Sequence, residues 1–178
     1  MKLYALCDHQ MLDAHGVSIE EFVEIAKLHN AKIIQYRNKT ADISTLKSAI
    51  IKIRGLYDGV LIVNDHFELA QFCDGVHMGQ DDLRSIDEDI FSAVGHIRGF
   101  IGIDKIFGIS THNEKEILEA NKMPINYIGL GAYRGTTTKH DVSTLLFDKL
   151  DKLASLSTHP VGAIGGVRLD DKFEFVEY

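Results

Sequence analysis

"KIIQYRNKTADISTLKSAIIKIRGLYDGVLIVND" (32–65) decides the fold. Its two ends, "KIIQY" (32–36) and "VLIVN" (60–64), are short apolar runs, and between them lies a helix-period segment, "ISTLKSAIIKIRGL" (43–56). Runs that are apolar on both faces belong to parallel sheets covered by helices, and repeated strand–helix alternation signals an α/β fold. The pattern recurs on both sides. "KLYALC" (2–7) and "SIEEFVEIAKLH" (18–29) precede it; "HFELAQF" (66–72), "GVHM" (75–78), "LRSIDEDIFSAV" (83–94), "KIFGIS" (105–110) and "NEKEILEAN" (113–121) follow. "NYIGL" (126–130), "VSTLLFDKLDKLASL" (142–156) and "VGAIGG" (161–166) complete seven units, the last without a helix. That number favours a TIM-type (β/α) barrel over an open doubly wound sheet, whose Gly-x-Gly-x-x-Gly turn is missing from the early strands.

With 178 residues, 45% hydrophobic content and two prolines, the chain reads as one domain, 1–178, without a linker. A formal charge of -7 and the lack of a Lys/Arg-rich run argue against nucleic-acid binding. Cys7 and Cys73 are too few for a disulfide framework, no apolar run is long enough to span a membrane, and the N-terminus has no signal-peptide pattern. The expectation is a soluble cytoplasmic protein.

Active sites of (β/α) barrels collect at the C-terminal ends of the strands. The residues there are Gln35-Tyr36-Arg37-Asn38-Lys39, Asn64-Asp65, Gly79-Gln80-Asp81-Asp82 and Ser110-Thr111-His112, then Thr136-Thr137-Thr138-Lys139 and Gly165-Gly166. Arg37, Lys39 and Lys139 would bring cations to one face, Asp65 and Asp82 carboxylates. Cations with carboxylates suggest a diphosphate held through Mg²⁺. Taken singly, Asp65 and Asp82 each read as a cap on the following helix. The "GTTTK" loop (135–139) reads either as a turn or as an anion cradle of hydroxyls, backbone N–H groups and one cation. Nine scattered histidines show no metal-ligand spacing. His77 reads as a core histidine, and His112 is the one placed to act as a general base.

"QYRNK" (35–39), "LIVNDHFELA" (61–70), "DGVHMGQDDL" (74–83), "GISTH" (108–112), "YIGLGAYRGTTTK" (127–139) and "AIGGV" (163–167) together resemble the thiamine-phosphate synthase family, whose close relative is the thiazole tautomerase. The resemblance runs over about positions 2 to 167. It implies a Mg²⁺-dependent transferase in thiamine biosynthesis that joins hydroxymethylpyrimidine diphosphate to thiazole phosphate and releases diphosphate. It also implies roles. Gln35, Arg37 and Lys39 hold the pyrimidine diphosphate, and Tyr36 and Asn38 in the same motif count among the substrate-binding residues. Asn64 and Ser110 contact substrate, Asp65 and Asp82 bind the metal, and Lys139 holds the diphosphate. Thr136 and Thr138, with Gly166, hold the thiazole phosphate, and Thr137 between them counts among the substrate-binding residues. Arg37, Lys39 and Lys139 are the catalytic cations.

Two departures from the family pattern matter. Ala132 and Gly135 stand where the family loop has prolines, and Arg134 stands at its aromatic position, where it would supply another phosphate contact. After "AIGGV" only "RLDDKFEFVEY" remains, too short for a helical crossover and an eighth parallel strand. The expectation is therefore a barrel with an absent or irregular eighth unit, or an edge covered by the tail or by a partner chain in a homodimer. A tautomerase using His112 without Mg²⁺ and a noncatalytic phosphate-binding protein are the competing readings.

Overall fold

The computed structural model describes residues 2–135, 146–168 and 170–178. The chain divides into two compact units, one of residues 2–77 and 97–106, the other of 78–96 and 107–178.

In the first unit, β1 (Tyr4–Asp8), β2 (Ile33–Arg37), β3 (Val60–Asn64) and β4 (Gly75–Met78) pair in parallel and in sequence order. Asp8 lies opposite Arg37, and Asn64 opposite His77. The connecting helices are α1 (His9–His15), α2 (Ile19–Leu28), α3 (Ile43–Leu56) and a 3-10 turn over Phe67–Phe72. Each α-helix starts on a side chain that satisfies an orphan N–H. Asp8 accepts from Met11 N, Ser18 forms a capping box with Glu21, and Asp42 accepts from Thr45 N. In α3, Leu46, Ala49, Ile50 and Ile53 fall on one helical face and are buried, as their spacing requires. Ile34, Leu61 and Ile62 of the strands are fully buried as well.

The second unit carries α4 (Gln80–Ile86), the start of α5 (Ile90–Ile101), and β5 (Ile106–Thr111), α6 (Glu114–Ala120), β6 (Tyr127–Leu130), α7 (Leu150–Ala154) and β7 (Val161–Ala163). β5, β6 and β7 pair in parallel over a core that includes Phe107, Ile109, Ile117, Ile128 and Leu150. The single helical segment expected over 83–94 is two helices. Asp87 and Asp89 break it, since Asp89 N bonds Asp87 Oδ1 at 2.9 Å and the Asp89 carboxylate takes Phe91 N and Ser92 Oγ. Short acidic side chains that bond nearby backbone compete with helix continuation.

The last residues run beside β7 without a helical crossover. Glu177 N and Tyr178 N donate to Val161 O at 2.9 and 3.2 Å, and Ala163 N donates to Tyr178 O at 2.9 Å. Asp151 of α7 accepts from Glu174 N and Phe175 N, and Arg134 grips Asp171 with two nitrogens at 2.5 and 2.6 Å. Of the alternatives for this edge, the tail lies along it and pairs with Val161 and Ala163.

Candidate active site

In the first unit, strand alternation puts Gln35, Arg37 and Asn64 on one face, with Asp8 and His77 beside them in register. Arg37 Nη1 donates to the Asp8 carboxylate, which is itself buried. Gln35 is buried, and its Nε2 donates to Tyr4 Oη at 2.7 Å. Asp65 does not cap the following helix. Its backbone is left-handed (φ 64°), His66 takes the cap position without a side-chain capping bond, and the Asp65 carboxylate receives Lys39 Nζ and Asn64 Nδ2. A non-glycine residue with positive φ is uncommon and clusters at functional positions.

Tyr36 and Asn38 are placed differently. Tyr36 points to the opposite face, is 1% exposed and meets the His9 ring edge-on; burial pushes its phenol pKa up. Asn38 Oδ1 accepts from Thr40 N, Ala41 N and Gln10 Nε2 at 3.1–3.2 Å, so it shapes the loop that carries Lys39.

In the second unit, Asp82 also is not a cap. α4 begins at Gln80 after Gly79, and a Cβ on Gly79 would stand 2.6 Å from Asp82 Oδ2, so glycine leaves room for that carboxylate. Gln80 is buried and donates Nε2 to Ser110 O at 2.6 Å, fixing the end of β5. His112 Nδ1 lies 3.0 Å from Glu116 Oε2, which also accepts from His112 N at 2.8 Å. Burial alone would raise the Glu116 pKa, but these bonds from His112 outweigh it and hold the carboxyl below its ordinary range.

The loops after β6 and β7 are zipped together. Tyr133 N donates to Ile164 O at 2.9 Å and Arg134 N to Gly165 O at 2.7 Å. Gly165 and Gly166 have φ of 88° and 71°, and a Cβ on either would stand 2.8 Å from Ala132 or Arg134. Arg134 corrects the expectation of a phosphate contact: its guanidinium is bound to Asp171 and Gly166 O and lies over the Tyr133 and Phe147 rings. Thr136, Thr137, Thr138 and Lys139 lie outside the described residues.

Among the described residues, no group of three or more His, Cys, Asp or Glu side chains could hold a metal by itself. Mg²⁺ is commonly held by one or two carboxylates, with phosphate oxygens and water completing the shell. Asp65 and Asp82 are hard-oxygen donors of that kind, and the Asp65 carboxylate already attracts a cationic side chain. No helix among the described residues is long and apolar enough to cross a membrane. Sequence reasoning left out Asp8 and Glu116, and it named Gln80 only as part of a strand-end stretch, without its bond to Ser110 O. Asp8 could have been noticed as an acid ending the first apolar run; Glu116 offers no local signal.

A model of the family described as thiamine monophosphate synthase matches residues 3–177. A thiamine-phosphate synthase of Persephonella marina is 35% identical over 172 residues, covering 94% of this chain and 77% of that protein. One of Ruminiclostridium cellulolyticum is 34% identical over 174 residues, covering 95% and 78%. Among solved structures, thiamine phosphate pyrophosphorylase from Pyrococcus furiosus superimposes with a TM-score of 0.75 at 27% identity, over 93% of this chain and 75% of that one. The fold is accordingly α/β of the TIM type.

Proposed function

Because the chain belongs to the thiamine monophosphate synthase family, we propose that it joins hydroxymethylpyrimidine diphosphate to thiazole phosphate, giving thiamine phosphate and diphosphate. The observation that carries this reading is the Asp65 carboxylate. It is turned by a left-handed backbone away from helix capping and gathers Lys39 and Asn64 at the strand end next to Arg37.

The chemistry asks for charge stabilisation and positioning. The methylene C–O bond breaks and its electron pair leaves with the diphosphate, so a benzylic-type cation develops on the electron-rich pyrimidine ring. The thiazole nitrogen then supplies its lone pair to the methylene carbon, which yields the thiazolium product without a nucleophilic side chain. Arg37 and Lys39 hold the diphosphate oxygens, and Lys139 is the third cation, stabilising charge where it develops. Asp65 and Asp82 are the residues that would hold Mg²⁺, whose charge would offset that of the leaving diphosphate. Gln35, Asn64 and Ser110 orient the pyrimidine, while Thr136, Thr137, Thr138 and Gly166 hold the thiazole phosphate and supply proximity. Asn38 shapes the loop that carries Lys39, and Tyr36 packs against the His9 ring on the opposite face. Two free, buried cysteines suit a reducing, cytoplasmic compartment.

The His112–Glu116 pair favours one second reading, an acid–base isomerase of the thiazole tautomerase kind, because Glu116 orients the imidazole as a general base requires. Turnover decides between them. Product formation by wild-type protein should fall by orders of magnitude in Arg37→Ala, Lys39→Ala and Asp82→Asn and stay within a fewfold in His112→Asn. The reverse ranking, with isomerisation in the absence of metal, would support the tautomerase.

A further inference from the structure

We propose that Asp8 is a positioning residue that aims Arg37 at the diphosphate; this rests on the assignment of Arg37 made above. Asp8 ends β1 directly opposite Arg37 on β2, and alternation places both on the face that carries Gln35. The Asp8 carboxylate is fixed at two points. Oδ1 accepts from Met11 N at 3.1 Å, capping α1, and Oδ2 accepts from Arg37 Nη1. Its side chain is 8% exposed against 30% for Arg37, so the anchor is inside and the guanidinium reaches outward from it. A guanidinium has five N–H donors in a rigid fork, so one engaged on Asp8 sets the plane in which the others face an anion. A strand end, a helix N-terminus and an arginine are thus tied to one short, unbranched side chain.

Charge alone predicts the opposite sign. Deleting a carboxylate beside an anion site should strengthen anion binding, so weaker binding is the mark of lost aim. Asp8→Asn and Asp8→Ser both keep an N-cap acceptor for Met11 N and remove the charge. The probe is inorganic diphosphate with Mg²⁺, measured by titration calorimetry, followed by steady-state kinetics with both substrates. In the folded variants, diphosphate Kd and the KM for the pyrimidine diphosphate should rise about tenfold, within the range that small misplacements cost. The KM for thiazole phosphate should hold, and Asp8→Glu should recover part of the loss. Diphosphate binding equal to or tighter than wild type in a folded variant overturns the proposal while leaving the role of Arg37 intact. Wild-type protein that binds no diphosphate overturns both.

Discussion

Replacing Gly166 by alanine tests whether the loop after β7 is both a backbone clasp and part of the thiazole-phosphate site. Gly166 has φ 71°, its added Cβ would stand 2.8 Å from Arg134 Cβ, and its carbonyl accepts from Arg134 Nη1 at 2.9 Å. A left-handed alanine costs roughly 1–2 kcal/mol. The close approach is to the root of a side chain that is tied down by Asp171, so overpacking adds about 1–3 kcal/mol. The sum is about 2–5 kcal/mol, and at roughly 2–4 °C per kcal/mol for a chain of this length Tm should fall by on the order of 10 °C. Gly99→Ala is the control: this helical glycine has open space around it, and alanine there should add up to about 1 kcal/mol. Circular-dichroism melts read the stability, and steady-state kinetics should show a higher KM for thiazole phosphate with that for the pyrimidine diphosphate unchanged. A Gly166→Ala protein with wild-type Tm would refute the strain argument. A lowered Tm with an unchanged thiazole-phosphate KM would remove Gly166 from the substrate site.

Two further predictions concern the tail and the thiols. The hydrogen bonds from Arg134 hold the Asp171 pKa down to about 2, and Arg134 is raised in return. A depressed carboxylate pKa stabilises above its unfolded value and loses that contribution as pH falls toward the folded one, so the tail should loosen between about pH 4 and pH 2. Hydrogen exchange at the amides of Ala163, Glu177 and Tyr178 should quicken in that window, and Asp171→Asn should show the faster exchange already at pH 7. Burial pushes the Cys7 thiol pKa up to about 12 and raises that of Cys73 as well. Neither thiol should react with a disulfide reagent at pH 8 in the folded chain, and both should react in guanidinium chloride.

The parallel strands were legible because their side chains are buried on both faces. "VLIVN" and "GVHM" coincide with β3 and β4, and "ISTLKSAIIKIRGL" with α3. α1 was not, since of His9–His15 only Leu12 is buried and seven residues show no apolar period. "AIGG" announces glycines that need positive φ, but not that they lie against Ala132 and Arg134. Asp65 reads as a helix cap because its left-handed backbone leaves no trace in residue type. The Arg134–Asp171 grip joins residues 37 positions apart, and no local pattern marks such a pair. The tail beside β7 follows the same logic: edge pairing is satisfied by backbone groups, which any sequence carries.

The most direct measurement is product analysis by mass spectrometry, with purified chain, hydroxymethylpyrimidine diphosphate and thiazole phosphate, with and without Mg²⁺. The account predicts thiamine phosphate and diphosphate in equal amounts, dependent on Mg²⁺ and lost in Asp65→Asn and in Asp82→Asn. Folded protein that binds diphosphate yet forms no thiamine phosphate would contradict it.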